Sequence, residues 1–501
     1  MDQELRPLAW WTEAVFHDWR SRSGPRYARL AAAILEAIDR KTLGEGVKVP
    51  AERALAAAVG VSRGTVVACF DHLVTAGVLT RRQGDGTYIA GRPSWTASAT
   101  SMTAALLRRM AADRETIDLS AAGPADLSHL PTTIHNVHFP AFPSHGLDPV
   151  GLPHLREAVA RHLTLHQGLA SDPAQIVVTN GAQEALWLLT RILPASAVVT
   201  SCPTYPGLTS VVGGSRAVVT AVPADGAGPD PAAIERAGRS PNSVAFLMPT
   251  GHNPAGDVMP LLRRQSLASL ADAGRVTVVE DLALADLCLD SPGERSAEVP
   301  PPLSALSQRV VAVGSASKLL WGGLRIGWLR VPDEALRGAL VGRKAALNLA
   351  TSVISQEMAA QLLEDITPGW LEAHRLALAR RRDYLLALIA EHLPAWRVRS
   401  PRAGLSLWAE LPLTTADPFA HAAARHGVTV TPGSAACVCG AHRNFIRLSF
   451  AEQPATLELA AERLAAAWAA HAADLAATPL HPAHPDPRPQ PDPDPRRQPH
   501  Q

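Results

Sequence analysis

The stretch GSASKLLWGGLRIGW, residues 314–328, sets one lysine, Lys318, among small hydroxyl residues, directly after the apolar run RVVAVG and before LRIGWL. Runs this apolar are typical of strands in a sheet that helices cover on both faces. Lysine is rare in the chain, and its four positions are Lys41, Lys48, Lys318 and Lys344. Chemistry that requires a lysine in this part of the chain therefore has two candidates, Lys318 and Lys344.

The pattern around this stretch extends over most of the chain. From Asp118 onward, apolar runs alternate with helical stretches; the runs are QIVVT, AVVTS, RAVVTAV, VAFLMP, RVTVVE, RVVAVG and LRIGWL. This alternation predicts crossover helices between buried strands, and so a large α/β lobe with a mostly parallel, seven-stranded sheet. From about Lys344 to Ala473 helix predominates, with strand candidates LSLWAEL and NFIRLSF, which predicts a smaller α+β lobe.

A different pattern occupies the start of the chain. An amphipathic helix ends near Arg40, a second helix begins after Pro50 and stops at Gly60, and Ser62 is a good N-cap for a third. Two short strand candidates, VLTRR and TYIA, then flank the glycine turn QGDG. Two helices joined at a glycine turn and followed by a hairpin predict a winged helix-turn-helix.

The charge distribution separates this first module from the rest. The chain has 501 residues with 47 basic and 46 acidic side chains, a net charge of +1. Between Arg20 and Arg92 there are 12 Arg and Lys against 6 Asp and Glu, an excess of +6, so the remainder carries −5. A basic module on a mildly acidic body is typical of a nucleic-acid-binding domain.

Composition excludes several other classes of protein. With 47% hydrophobic and 19% charged residues, the chain is neither fibrous nor wholly disordered. We expect no membrane span and no signal peptide, and so a cytoplasmic protein with reduced thiols. Of the five cysteines, Cys437 and Cys439 form only a C-x-C pair, which by itself is too little to predict a zinc site.

These patterns predict four segments. Residues 20–91 form the winged helix-turn-helix, 92–117 a linker rich in Ala, Ser and Thr, and 118–473 the two-lobed body. Residues 474–501 form a disordered tail, because its last 24 residues contain nine prolines.

The first module resembles the GntR family over VPAERALAAAVGVSRGTVVACFDHLVTAGVLTRRQGDGTYIA, residues 49–90. The N-terminal residues of a recognition helix read base edges, and arginine can bond guanine O6 and N7 together. A glycine turn lets the wing approach the phosphates or the minor groove. We therefore expect contacts with double-stranded operator DNA from Arg53, Ser62, Arg63, Thr65, Gly86 and Thr87.

The stretch around Lys318 resembles the lysine segment of fold-type I aminotransferases that depend on pyridoxal 5'-phosphate (PLP). The resemblance implies that Lys318 forms a Schiff base with the PLP aldehyde. It also implies that Ser315, Ser317 and Arg325 help to hold the phosphate. Lys344 is the competing lysine, but it lies in the helical stretch RKAALNLA without the serines.

Further segments match the same superfamily in chain order. TNGAQEAL, residues 179–186, would place Gly181, Ala182 and Gln183 at the phosphate, on a helix N-terminus. CPTYPG, residues 202–207, would stack the ring of Tyr205 on the pyridine.

Three more polar residues complete the set that the resemblance implies. In PTGHNPAG, Asn253 would hydrogen-bond the PLP 3′-oxygen. In VTVVED, Asp281 would keep the pyridine nitrogen protonated, with Glu280 as the competing assignment. In NFIRLSF, Arg447 would pair with a substrate α-carboxylate.

Together the two modules resemble MocR-type regulators. The resemblance implies a homodimeric, PLP-binding transcriptional regulator that senses PLP or an amino compound. An active aminotransferase with an attached DNA-binding domain is the alternative, and a passive dimerisation body is a third. Ala283 stands where these regulators often have a tyrosine, and the segment near His145 lacks another tyrosine often found in aminotransferases. Losing these hydroxyls weakens control of proton movement, so the sequence favours a sensor over an efficient transaminase.

Overall fold

The computed structural model describes residues 6–21, 25–40, 42–44, 46–75, 78–82, 85–89, 116–124, 126–133, 145–213, 215, 217–240, 242–289 and 299–477. The predicted linker lies outside the described residues except for 116–117, and so does the predicted tail beyond 477.

The N-terminal domain has the helices and the hairpin that the sequence predicts. Its helices are α1 (Leu8–Ala14), α2 (Arg26–Asp39), α3 (Glu52–Val59) and α4 (Arg63–Thr75). Its strands β1 (Lys48–Val49), β2 (Leu79–Arg82) and β3 (Gly86–Ile89) pair antiparallel in the order β1-β3-β2. Gly60 ends α3 in the left-handed region, at φ 71°, and α3 and α4 meet at an angle of 117°. This is the geometry of a helix-turn-helix with a wing.

Aromatic residues before α2 belong to the core of the same domain. Trp11, Phe16 and Trp19 are buried in one apolar cluster with residues of α2 such as Leu30 and Ile34. The first helix therefore covers the winged domain and stabilises it by burial of large aromatic surfaces.

The large lobe is built on an eight-stranded sheet. Its strands are β5 (Ile176–Thr179), β6 (Ala197–Cys202), β7 (Val218–Asp225), β8 (Gly228–Pro229), β9 (Val244–Leu247), β10 (Thr277–Asp281), β11 (Val311–Ser315) and β12 (Gly327–Arg330). Their order is β5-β12-β11-β10-β9-β6-β7-β8. Strand β12 runs antiparallel to β11 and β5, and β8 runs antiparallel to β7. The seven predicted strands are present, and the two-residue β8 is an addition at the edge.

Helices cover both faces of this sheet, as its apolar strands require. They are α5 (Pro153–His166), α6 (Ala182–Ile192), α7 (Pro206–Val212), α8 (Pro231–Ala237), α9 (Leu261–Asp272), α10 (Leu303–Leu306) and α11 (Glu334–Asn348). The apolar cluster around Leu189 fills one side of the sheet, and the clusters around Leu163 and Leu267 fill the other.

Helix α12 (Val353–Glu364) packs on α5 of the large lobe, where Glu364 contacts His154 and Arg161. The small lobe combines three helices with an antiparallel sheet. The helices are α13 (Pro368–His392), α14 (Asp417–Arg425) and α15 (Pro454–Ala477). The sheet order is β13 (Arg397–Val398), β14 (Ser406–Glu410), β17 (Phe445–Ser449), β16 (Thr431–Pro432). A separate parallel pair joins β4 (Ile117–Asp118) to β15 (Val428–Thr429). The two strands predicted here are β14 and β17.

Within the described part of the chain, no single helix is both long and apolar enough to cross a membrane. Helices α3 and α4 reach that length and composition only together, and the chain bends by 117° between them.

Candidate functional site

The predicted site residues follow the carboxyl ends of neighbouring strands. Strands β6, β9, β10 and β11 run parallel in the middle of the sheet, so their carboxyl ends lie along one edge. The last residues of these strands and the turns after them contain the segments CPTY, MPTGHN, ED and SASK. Ligands bind at this edge in open α/β sheets.

Lys318 lies at this edge, three residues after the end of β11. Its Nζ donates a hydrogen bond of 2.5 Å to the carbonyl oxygen of Ala122, and its charge acts on Asp281. Lys344 lies elsewhere, in α11, where it is buried and near Glu184. The Nζ of Lys344 has no hydrogen-bond partner among the described residues, and burial lowers its pKa. The structure therefore places Lys318, rather than Lys344, beside the predicted carboxylate.

The two acids at the end of β10 point to opposite sides of the sheet. Glu280 is fully buried and accepts hydrogen bonds from the backbone of Leu303 (2.8 Å) and from the backbone (2.8 Å) and hydroxyl (2.7 Å) of Ser304. Asp281 accepts a 2.8 Å bond from the Ala283 amide. Burial raises the pKa of Asp281 to about 6, and Lys318 opposes this rise. Glu280 is thus committed to the start of α10, and Asp281 is the carboxylate at the edge.

A cradle for an anion forms where β5 meets α6. Gly181 is the N-cap of α6, so the amides of Ala182 and Gln183 lie in the first helical turn. The guanidinium of Arg325 bonds the Asn180 carbonyl at 2.8 Å, and its Nη2 would lie 3.1 Å from a Cβ placed on Gly181. A helix N-terminus beside a guanidinium attracts phosphate.

The two serines lie next to this cradle on the neighbouring strands. Ser315 pairs in register with Gly327 of β12, and Gly327 pairs with Thr179 at the end of β5. The Ser317 amide donates to the Ser315 hydroxyl at 3.2 Å, which fixes the turn before Lys318. The structure thus brings the serines to the same edge as Arg325.

Tyr205 stands at the start of α7 and is held by two neighbours. Its hydroxyl donates to Gln183 Oε1 at 3.0 Å. A Cβ on Gly207 would lie only 2.5 Å from the tyrosine ring, so the ring can occupy this position because residue 207 is glycine. Burial, and then the charge of Asp281, raise the pKa of Tyr205 to about 12. The aromatic ring is therefore uncharged and close to the Asp281 carboxylate.

Arg447 of β17 connects the small lobe to the site. Its Nη1 donates to Asn253 Oδ1 at 2.8 Å, and its Nη2 donates to the Ser120 carbonyl at 2.7 Å. The side chain is buried, and this burial lowers the pKa of Arg447 to about 10. Its Nε finds no partner in the described part of the chain. A buried guanidinium with a spare donor is a site for an anionic group.

Two backbone carbonyl groups that hold charged side chains of this site were not predicted from the sequence. The carbonyl of Ser120 holds Arg447, and that of Ala122 holds Lys318. The one signal for this segment is the run of small residues SAAG, 120–123, which permits close approach. Carbonyl groups occur at every residue, so no residue type identifies them.

The candidate DNA-binding residues lie around the start of α4. The Ser62 hydroxyl caps this helix by accepting from the Thr65 amide at 3.2 Å. Arg53 and Arg63 are both exposed. Glu52, which sequence reasoning missed, lies 3.5 Å from Arg63 and also contacts Arg81. The acidic side chain orients two arginines on the face that carries the recognition helix.

The wing presents its two predicted residues at the start of β3. Gly86 has φ 127° and is exposed, and Thr87 follows it as a partly buried residue. Lys48 of β1 packs beside Gly86 and bonds Asp85 at 3.2 Å. Lys48 is thus a further basic group at the wing.

Two protein families match separate segments of the chain. Residues 144–464 match the family "Aminotransferase class I and II", which is more than half of the chain. The chain belongs to the aminotransferase class I and II family. Residues 26–89 match "Bacterial regulatory proteins, gntR family". This aminotransferase-family chain thus carries a GntR helix-turn-helix domain, which implies DNA binding.

Relatives share both domains. The chain is 28% identical to the uncharacterised HTH-type transcriptional regulator YisV of Bacillus subtilis, across 81% of this chain and 88% of that protein. It is 27% identical to the probable rhizopine catabolism regulatory protein MocR of Rhizobium meliloti, across 81% and 85%. Among solved structures, LysN, an α-aminoadipate aminotransferase of Thermus thermophilus, has the same fold (TM-score 0.62, 24% identity, 73% of this chain and 95% of that one). The domain pair matches that of MocR-type transcriptional regulators.

The aminotransferase fold implies dependence on PLP, and the residues present fit that group. They supply an amine (Lys318), a buried carboxylate (Asp281), an aromatic face (Tyr205) and an anion cradle at Gly181 and Arg325. The amine would bond the PLP aldehyde, the carboxylate would face the pyridine nitrogen, the aromatic ring would cover the pyridine, and the cradle would hold the phosphate.

Proposed function

We propose that this regulator holds PLP through Lys318 and changes its affinity for operator DNA when PLP or an amino compound binds. The observation that carries the proposal is the convergence of Lys318, Asp281 and Arg447 on one sheet edge, with a donor of the buried Arg447 guanidinium left unpaired among the described residues. Such a site suits a ligand that carries both an amine and a carboxylate.

The side chains have separate tasks in this proposal. Lys318 provides the amine for covalent attachment, and Asp281 holds a proton at the pyridine nitrogen. PLP, when bound, supplies an electron-withdrawing ring and a visible chromophore. Tyr205 covers one face of the site, and the helix N-terminus at Gly181 with Arg325 binds the phosphate.

Arg447 connects the ligand site to the contact between the two lobes. It belongs to the small lobe, yet it bonds Asn253 of the large lobe. A carboxylate that pairs with its planar fork competes with this contact, so effector binding alters how the lobes meet. A ligand shifts such an equilibrium only by its differential affinity for the two states.

A homodimer would transmit this change to DNA. Two recognition helices, each led by Arg63, would read two half-sites, and a two-fold protein favours half-sites at a fixed separation. In this proposal the linker, residues 92–117, carries the change from the body to the winged domains of a cytoplasmic regulator.

An active aminotransferase is the second candidate, and the complete set of Lys318, Asp281 and Arg447 favours it. The scarcity of tyrosine argues for the sensor. The chain has four tyrosines, Tyr27, Tyr88, Tyr205 and Tyr384, and only Tyr205 lies at the site edge, where its hydroxyl already donates to Gln183. This site therefore has fewer hydroxyl groups than an aminotransferase to control proton transfer at the substrate carbon.

The visible absorbance of the purified protein tests the proposal. Titration with amino acids should shift the band of the bound cofactor and change operator affinity in the same concentration range. If the protein instead turns over an amino donor and a 2-oxo acceptor at several per second, and operator affinity stays constant, it functions as an aminotransferase and not as a sensor.

A further inference from the structure

Four side chains with metal-binding atoms meet where the two lobes touch. Cys202 is the last residue of β6 in the large lobe, whereas Cys437, Cys439 and His442 lie in the small-lobe loop that leads into β17. Their three Sγ atoms and the Nδ1 of His442 all lie within 4.8 Å of one another. Cys202 is buried, the loop residues are partly or fully exposed, and the group belongs to no step of the proposed function.

The separations match the edges of a metal-centred tetrahedron. With Zn–S of about 2.3 Å and Zn–N of about 2.0 Å, ligand atoms lie about 3.5–3.8 Å apart. From Cys437 Sγ, the distances are 3.4 Å to Cys202 Sγ, 3.8 Å to Cys439 Sγ and 3.6 Å to His442 Nδ1. From Cys202 Sγ, His442 Nδ1 lies at 3.8 Å.

One distance between ligand atoms is shorter than the others. Cys439 Sγ lies 2.8 Å from Cys202 Sγ, so this edge must lengthen by about 1 Å to admit a zinc ion. Cys439 is exposed on the loop, which allows that movement. His442 also lines a cleft of about 450 Å³, together with Pro203.

The backbone already holds the loop in place for binding. The His442 amide donates to Cys437 Sγ at 3.2 Å, and the Thr204 amide donates to the Ala436 carbonyl at 2.8 Å across the two lobes. A Cβ on Gly433 would lie 1.9 Å from the His442 carbonyl oxygen, so the loop closes this tightly because residue 433 is glycine. Amide donors to sulfur favour the thiolate, which is the form that binds metal.

We propose that Cys202, Cys437, Cys439 and His442 bind one Zn²⁺ as a structural clamp between the large and small lobes. Three thiolates and one imidazole are a ligand set of closed, four-coordinate zinc sites. Thiolates also exclude Mg²⁺ and Ca²⁺, which prefer oxygen ligands.

The position of the clamp has a consequence for the neighbouring site. Cys202 is three residues before Tyr205, and His442 is five residues before Arg447. The ion thus joins the two segments that carry these side chains. The metal site itself stands whether or not an amino compound is the effector.

The sequence alone does not predict that these four side chains lie together. The C-x-C pair supplies two ligands, and the third cysteine precedes Cys437 by 235 residues. His442 lies five residues beyond Cys437, and nothing in the local pattern separates it from other histidines. The parallel sheet and the return of the small-lobe loop bring the four together.

The metal content of the full-length protein, purified under reducing conditions without chelator, is the first test. We expect one zinc per chain by mass spectrometry of the metals, and none in Cys439→Ser. Cys439 is exposed, so this variant should fold as the wild type does by circular dichroism. Cys69→Ser and Cys288→Ser are matched controls, because both cysteines are buried outside the cluster, and these variants should retain the zinc.

Cobalt substitution tests the geometry. In the Lys318→Ala background, where cofactor absorbance does not overlap, Co²⁺ should produce thiolate charge-transfer bands and the visible bands of a tetrahedral site. Cys202→Ser and His442→Ala should alter or abolish these bands.

A disulfide between Cys202 and Cys439 is the competing outcome. Thiol titration of the denatured, chelator-treated protein distinguishes the two, because a metal site leaves five reduced cysteines and a disulfide leaves three. The proposal is overturned by three titratable thiols, or by five thiols with neither zinc in the purified protein nor Co²⁺ binding at micromolar concentration.

Discussion

Replacing Asp281 by asparagine should stabilise the cofactor-free protein at neutral pH. The folded chain raises the pKa of this carboxyl group from 3.8 to about 6 because the group is buried. Between these values the folded state retains a proton that the unfolded state has lost, so stability falls as pH rises through this range. At about 1.4 kcal/mol per pKa unit, the full cost above pH 7 is about 3 kcal/mol. An uncharged asparagine avoids this cost and can still accept the Ala283 amide bond.

The assay is urea unfolding of cofactor-free wild type and Asp281→Asn at pH 5 and pH 8. The variant should gain about 3 kcal/mol at pH 8 and roughly half of that at pH 5, where the wild-type carboxyl is largely protonated. Glu280→Gln is the control. Burial raises the pKa of Glu280 as well, but its two carboxylate oxygens accept three hydrogen bonds at the start of α10, and an amide nitrogen in place of one oxygen cannot accept them, so we expect this variant to be destabilised. Equal stability of wild type and Asp281→Asn at pH 8, or a gain that does not change with pH, would show that the buried Asp281 carboxylate does not destabilise the folded protein.

Other substitutions test the remaining parts of the site and the DNA surface. Lys318→Ala should remove the visible absorbance of bound PLP, whereas Lys344→Ala should retain it; the reverse result would exchange the two lysines. Arg447→Lys keeps the charge but loses the planar fork, so affinity for amino acids should fall by about 1.5–3 kcal/mol while affinity for simple amines stays unchanged in the same titration. Arg63→Ala should cost about 1–3 kcal/mol at the operator and reduce discrimination against random DNA, measured by fluorescence anisotropy. Arg53→Ala should instead weaken binding to all sequences and reduce the salt slope by about one.

The sequence predicted those parts of the site that depend on local pattern. Lys318 and the serines beside it follow a buried strand, so their common edge could be predicted from strand order alone. The preference for Asp281 over Glu280 came from the family resemblance, because adjacent strand residues face opposite sides and local pattern does not say which side holds α10. In the structure, three hydrogen bonds hold Glu280 at the start of α10, and Asp281 faces the other side of the sheet.

Contacts between segments that lie far apart in the chain could not be predicted from local sequence pattern. The carbonyl that holds Lys318 belongs to Ala122, 196 residues earlier in the chain. Glu52 orients Arg63 only because α3 and α4 turn sharply against each other. In each case the partner is an ordinary residue type, and tertiary folding gives it its role.

Operator affinity measured in three ligand states shows whether ligand binding at Lys318 controls DNA binding. DNA selected in vitro from a random pool serves as the operator, and binding is measured for cofactor-free, PLP-loaded and amino-acid-treated wild type, with Lys318→Ala alongside. We expect operator affinity to differ between these states by about 5–150-fold, the usual range of allosteric coupling, and we expect Lys318→Ala not to respond to the amino acid. The same affinity in all three states of the wild type would contradict this expectation.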